Sequence, residues 1–346
     1  MLSGIGAFVD FPAMEAIYEL GEITCPSGEL VIVDGGHLGM WSGERSPAEV
    51  DPAAFGVQDP DVAAGITGAT DFAITGPDAA GAAHSFDRQP GRMLHDIPAQ
   101  GAGRLRELFD AHCRQHGFTA RLEPCPERVP HRERVRRCVA EGGGAFLMNG
   151  VPVVALGGLP TDRPLPVLAS GAGLVVPVSP APVAKCVELG DIRVDWARIL
   201  FGDADALSHW QHDEPVDGLA DVAFWGASEE AAAEEFGAPA LGEPGEDGVR
   251  GWTGLPLPEA ARRAGALLGW KDADPARRMM VDFRPHSHHW QVMRQVRASA
   301  VEAGTVEVGG ARMLCTMTGQ GDGWFPVSAD LGPSGELVAV RVSFAV

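Results

Sequence analysis

Glycine and proline interrupt this chain too often for it to be built from long helices. It holds 45 glycines and 27 prolines in 346 residues, without the three-residue period of a collagen. Such residues end helices and supply the turns between short strands. Apolar side chains are plentiful enough for a core: 45% of residues are hydrophobic and 21% charged, the balance of a folded protein. The expected class is α+β, dominated by β-structure, with antiparallel sheets or a sandwich and several amphipathic helices. The length suits two average domains, or one large β-rich domain with insertions.

Glu29–Asp34 is a clear strand. Leu30 and Ile32 point one way and Val31 and Val33 the other, so both faces are apolar and the strand belongs at the centre of a sheet. With Glu22–Cys25 it reads as a hairpin around Pro26-Ser27-Gly28. It ends in Asp34-Gly35-Gly36-His37, where two glycines permit a sharp turn. Helices are expected from Gly101-Ala102-Gly103 to His116, with Gly117 as the stop, and over His131–Glu141 behind Pro130. Two more are expected, from Ser228 through Phe236 and from Pro258 through Trp270. Asn149-Gly150, between Ala145–Met148 and Val151–Leu156, is the strongest hairpin signal. Leu165–Ala169 and Leu174–Val178 form another candidate hairpin. Gly237–Gly251 reads as a surface loop. From Met279 onward the chain reads as wholly β, with Trp290–Ala298 as one of the strands and Asp322-Gly323 as a turn.

Pro-Ser-Gly-Glu-Leu-Val occurs at Pro26–Val31 and again at Pro333–Val338, a tight turn opening an apolar strand in both places. Gly28-Glu29-Leu30-Val31 leading to Asp34, together with Gly321-Asp322-Gly323-Trp324-Phe325-Pro326-Val327 and a final strand, resembles a group of uncharacterised bacterial domains. Those domains open with a Gly-x-Leu-Val strand ending in Asp and close with a Gly-Asp-Gly-aromatic-aromatic-Pro-Val hairpin. This chain departs from them at Phe325, where Tyr is commoner, and at Gly35, where Pro is commoner. The resemblance implies that the first and last strands share one β-domain, and it implies no reaction. The expected organisation is a β-rich domain made of residues 1–75 and 276–346, with residues 76–275 as an inserted mixed α/β region.

The net charge is −20, which argues against nucleic acid, whose binding rests on neutralising phosphates. Arg132, Arg134, Arg136 and Arg137 form the one basic cluster, and with Glu133 and Glu141 they read as a solvated helix face. Lys185 and Lys271 are the only lysines; this Arg- and Ala-rich balance is that of a GC-rich, bacterial-type genome. The six cysteines are scattered with no C-x-x-C and read as reduced, mostly buried thiols. The segment Met1–Gly6 carries no basic residues and is not read as a signal peptide. No apolar stretch approaches the ~18 residues of a membrane span, so a cytoplasmic protein is expected.

The sharpest chemical feature is Pro285-His286-Ser287-His288-His289-Trp290. In an extended segment, His286 and His288 share a face with Trp290 and Val292, the more apolar face. That pattern offers two nitrogen ligands to a divalent transition metal, with His37, Asp34 or Asp282 as a third. The same histidines could instead bind a ligand, do acid–base work without metal, or be structural; no cupin-type glutamate follows His288. By parity, His288 should be the costlier to lose, because His289 aligns with Gln291, Gln295 and Arg297. Arg284 and Arg294 flank the cluster as candidate anion-binding groups, Arg294 with inward parity. The candidate catalytic set is His288, His286 and Arg294. His209-Trp210-Gln211-His212-Asp213-Glu214 is a second polar cluster, in which His209 and His212 would neighbour each other on a helix. Cys315 is a further thiol whose reactivity would need a nearby base.

Phosphate-loop, dinucleotide, nucleophile-elbow and H-E-x-x-H signatures are all absent from the sequence. The expectation is a protein acting on a small molecule, an enzyme using the histidine cluster with or without a metal. The alternatives are an acidic binding or immunity-type protein that recognises a basic protein partner, and a scaffold role.

Overall fold

The computed structural model describes residues 17–55, 57–86, 92–242 and 244–344; Met1–Gly6 lie outside them. The chain enters through β1 (Tyr18–Ile23) and β2 (Glu29–Asp34). It then builds a first lobe from α1 (Pro60–Thr67), β3 (Thr70–Thr75), α2 (Ala79–Phe86), β4 (Met93–Ile97), α3 (Ala102–His116) and β5 (Arg121–Pro124). Helix α4 (His131–Ala140) leads back to β6 (Gly144–Met148), β7 (Val151–Gly157) and β8 (Leu165–Ser170). Strands β9 (Gly173–Pro177), β10 (Lys185–Val194) and β11 (Arg198–Asp203) follow. A second lobe holds β12 (Leu219–Trp225), α5 (Glu229–Phe236), β13 (Arg250–Pro256), α6 (Leu257–Asp272) and β14 (Met280–Pro285). Helix α7 (His288–Ala298) precedes β15 (Ala303–Val308), β16 (Ala311–Met317), β17 (Gly323–Leu331) and β18 (Leu337–Ser343).

Two six-stranded sheets form the body, in the orders β1-β8-β9-β18-β17-β10 and β15-β16-β11-β2-β7-β6. Each lobe adds a three-stranded sheet, β4-β3-β5 and β13-β12-β14. Every pairing between these strands is antiparallel, so the fold is the expected β-dominated α+β class. Leu165, Val167, Val327 and Val340 of the first sheet pack on Leu30, Ile32, Ile199 and Phe201 of the second. The other face of the second sheet sets Val31, Val33, Val153 and Leu200 against Val135 of α4 and Val292 and Val296 of α7. Strand β2 is thus apolar on both sides because it lies in the middle layer, between a sheet and a helical cover. Among the described residues no helix is long and apolar enough to cross a membrane.

Several local readings hold. Asn149 and Gly150 both take positive φ, 50° and 88°, and close the β6–β7 hairpin as an Asn-Gly turn does. Strands β8 and β9 pair across Ser170 and Gly173. Helix α3 ends at Gly117 with φ 72°.

Others need correction. β1 and β2 do not form a hairpin: β1 pairs with β8 in one sheet, and β2 with β11 and β7 in the other. Pro26-Ser27-Gly28 is a corner between sheets, pinned by Asp203, which accepts from Ser27 N–H at 2.8 Å and Ser27 Oγ at 2.6 Å. The corner lets Ile23 and Leu30 enter the same core from opposite layers. Residues 144–203, placed in the insertion by sequence, supply β6–β11 to the body sheets, where alone their apolar faces can be buried. The excursions are the two lobes.

The basic cluster on α4 is only partly a solvated face. Arg136 and Arg137 are exposed and pair with Glu44 and Glu133, but the Arg134 side chain is fully buried. Its guanidinium donates to Asp96 Oδ2 and Oδ1 at 2.8 and 2.9 Å, to Asp71 Oδ2 at 3.1 Å, and to the Val129 and Leu147 carbonyls at 2.9 and 2.6 Å. Arg128 adds a second guanidinium on Asp96 at 2.6 Å. Burial works against ionising Asp96, but the Arg134 charge outweighs it and holds the carboxyl well below its usual range. Removing one member of such a cluster leaves the others charged and dry. Arg134→Met is expected to cost about 3–5 kcal/mol, whereas Arg136→Met stays within about 0.5 kcal/mol. Urea denaturation of both variants checks this; similar small losses would show that the cluster carries little of the fold.

Candidate functional site

The segment after β14 folds as a helix. Ser287 is the N-cap of α7, its Oγ accepting from Trp290 N–H at 3.1 Å. Val292 and Val296, four apart, are the buried stripe. Helix α7 lies so close to β15 that a Cβ on Gly304 would sit 2.8 Å from the Val292 carbonyl oxygen. The strand expected over Trp290–Ala298 is therefore corrected, and with it the parity that ranked His288 above His289. In a helix, neighbouring side chains point about 100° apart, and each histidine has its own partners.

His286 sits in the turn, stacked on Trp290 with ring centroids 4.4 Å apart. Its Nδ1 is 3.0 Å from Asp217 Oδ2 and its Nε2 2.9 Å from Asp221 Oδ1. Burial pulls its pKa down, but the Asp221 and Asp217 hydrogen bonds outweigh that and raise it. Protonated, both nitrogens donate, leaving no lone pair for a metal. His288 Nδ1 accepts from Gln211 N–H at 2.9 Å, and its own amide donates to the Gln211 carbonyl at 3.1 Å. Asp34 accepts three backbone amides, Gly36 at 2.7 Å, Asp195 at 2.7 Å and Trp196 at 3.0 Å. His37 lies 3.8 Å from Asp195, and Asp282 pairs with Arg284 at 2.6 Å. Among the described residues no three His, Cys, Asp or Glu side chains converge as metal ligands would. The proposed metal set His286, His288, His37 and Asp34 is not brought together, because other hydrogen bonds already engage His286, His288 and Asp34.

The structure unites two clusters that sequence kept apart. His212 stacks on His289, with centroids 4.2 Å apart and planes at 26°. His212 Nδ1 accepts from Trp210 Nε1 at 3.2 Å, which places its proton on Nε2. His289 Nε2 is 3.3 Å from Arg198 Nη1, which places its proton on Nδ1. Burial, then the charges of Arg198 and His37, pushes His212 down to about 4. Burial, then His212, Arg198 and Arg297, pushes His289 down to about 2. His209 is exposed at the end of a short 3-10 turn, Ala206–His209, so the expected helical pairing with His212 does not form.

These rings open into a cleft of about 630 Å³ between β14 and α7, lined by Arg198, Asp213, Asp282–Pro285, His289 and Trp290 among others. Arg284 and Arg297 in its walls both pair with the buried Glu246, at 2.9 and 3.1 Å. Glu246 lies in the stretch read as a plain surface loop. Arg198 differs. Among the described residues it has no carboxylate within ion-pair distance; it donates to the Trp196 carbonyl at 3.2 Å and faces His289. Its stem passes 3.5 Å from where a Gly35 Cβ would lie, and Trp196 would clash with a Cβ on Gly36. The two glycines thus serve close approach; neither takes positive φ. Nothing in the sequence around Arg198 marked it. Arg294 is exposed, over the Trp290 ring at 5.2 Å, and lines a separate hollow of about 520 Å³ with His286. Cys315 is buried beneath Gly35, and burial pushes its thiol up to about 12, which disqualifies it as a nucleophile.

Comparison with protein-family models, with curated proteins and with solved structures finds no match to this chain.

The depressed His289 has a consequence for stability. The unfolded chain takes up its proton near the ordinary histidine pKa of about 6.5, while the folded site resists protonation down to about 2. Stability is therefore lost as pH falls below about 6.5. His289→Phe keeps a ring against His212 and removes this titration. Its urea midpoint should fall less than that of the parent between about pH 7 and pH 5; parallel curves would show that His289 titrates normally in the fold.

Proposed function

We propose that this chain recognises a small anionic molecule, a carboxylate or a phosphate monoester, in the cleft between β14 and α7. The observation that carries the reading is Arg198, a guanidinium without a carboxylate partner among the described residues, facing a cleft of ligand size. Arginine presents planar donors that match such anions in pairs. His212 Nε2–H adds a neutral donor from the stacked imidazoles. With His212 at about 4, the ring is uncharged at neutral pH and too weak a base for efficient proton abstraction there. The reading is accordingly recognition through Arg198 and His212. The acid–base roles first considered for His286 and His288 find no support in their geometry, since each ring is engaged by other residues. The net charge of −20 favours a small anion over a polyanion such as nucleic acid.

A panel of small carboxylates and phosphate monoesters tests this by thermal shift. At least one is expected to raise Tm of the parent protein in a saturable way, and Arg198→Gln should remove that shift while leaving the unliganded Tm near the parent value. Stabilisation of the variant and the parent alike would place the anion elsewhere.

A further inference from the structure

The cleft wall carries information about ligand shape. Asp282, Phe283, Arg284 and Pro285 all line it. They are consecutive on a strand, so their side chains alternate between faces. A cavity over one face of a sheet would touch every second residue. One that touches four in a row runs along the strand edge. Among the described residues β14 is an outer strand, paired only with β12. The His286 amide donates to the Leu219 carbonyl at 3.0 Å, and Ala220 stands opposite Pro285. The antiparallel pattern then turns the amides and carbonyls of Val281 and Phe283 away from β12, outward along that edge. Across the cleft, His289, Trp290, Met293 and Arg297 present one side of α7. An edge strand facing a helix across a groove is the arrangement in which an extended peptide adds as a further strand.

We propose that this groove takes a short extended peptide by strand addition to β14, with the peptide's free C-terminal carboxylate on Arg198 and a basic side chain toward Asp213. The proposal rests on the reading of Arg198 as the anion-holding group. Arg198 stands at the Pro285 end of β14, beside His289, so a peptide ending there runs parallel to the strand. Four wall residues span about 13 Å, room for about four peptide residues. Exposed Phe283 supplies apolar contact. The charge pattern selects the sequence class. The guanidiniums of Arg284 and Arg297 are balanced by the two carboxylates of Glu246 and Asp282. Arg198 and Asp213, neither of which forms an ion pair among the described residues, are left as one positive and one negative group, on a chain of net charge −20. A basic peptide with a carboxylate terminus complements both.

The test uses the intact chain and a synthetic library of short peptides with free C-termini, each with Lys or Arg upstream, read by fluorescence polarisation. Library members are expected to bind. C-terminal amidation and Arg198→Gln should each weaken binding about tenfold or more, and together little more than either alone. Backbone N-methylation at alternate peptide residues should abolish binding, while methylation at the intervening ones is tolerated. Amidation and methylation change only the peptide, so they decide the matter even if the variant is unstable. Equal binding of amidated peptides, or insensitivity to methylation at every position, overturns the proposal. So does a library without binders while small carboxylates still raise Tm through Arg198; in that case the small-anion reading stands alone.

Discussion

A guanidinium with no access to water holds the frame together. Arg134 reaches from α4 into the space between the first lobe and the middle sheet, where Asp71 of β3 and Asp96 of β4 close on it. The same aspartates take backbone amides: Asp71 from Asp96 and Val129, Asp96 from Gly150. The first lobe, α4 and the β6–β7 hairpin are thus tied at one point by groups that cannot trade their partners for solvent. Charges are costly to bury, and the arrangement persists only because nearly every lone pair and proton is engaged. One consequence is positional. With α4 fixed over the middle sheet, β2 and β11 keep a covered outer face, and the ends of those strands, Asp34 and Arg198, keep their places.

The second lobe is joined differently. Near the cleft its ion pair to the body runs from the buried Glu246 to the partly exposed Arg297 of α7, at 3.1 Å, while His286 between Asp217 and Asp221 and Glu246 on Arg284 are contacts at the lobe's own edge. Such a joint is weaker than a dry ion cluster, because water competes for the arginine. Joints of this kind open more readily than a core, and the groove between β14 and α7 lies along this one. Helix α7 itself is fixed to the body by Val292 and Val296, so one wall of the groove is rigid and the other belongs to the lobe.

The parts of the fold that could be read from sequence are those set by local chemistry or by strict alternation. β2 announces its central place by apolar side chains of both parities, and Asn149-Gly150 announces its turn by tolerating positive φ. The failures share a cause: the deciding contact is distant in sequence. Trp290–Ala298 has residues compatible with either period, and Ser287 as a cap together with the approach of Gly304 selects the helix. Arg134 looks like Arg136 and Arg137 until two aspartates, 63 and 38 residues away, remove it from water. The histidine cluster lies at this end of β14, but the ring that His289 stacks on is His212, from the other cluster. Arg198 stands out only by what it lacks among the described residues, a counter-ion, and that is visible only once its neighbours are in place.

Nitrogen-15 NMR of the imidazole and guanidinium groups tests the account most directly, recorded with and without a small carboxylate. The account predicts that His212 and His289 remain neutral from about pH 8 to about pH 5, with protons on Nε2 and Nδ1 respectively. It also predicts that the carboxylate shifts Arg198 and His212 while leaving the buried His95 and His131 unmoved. Ordinary titration of both cleft histidines, or a carboxylate response confined to residues outside the cleft, would contradict it.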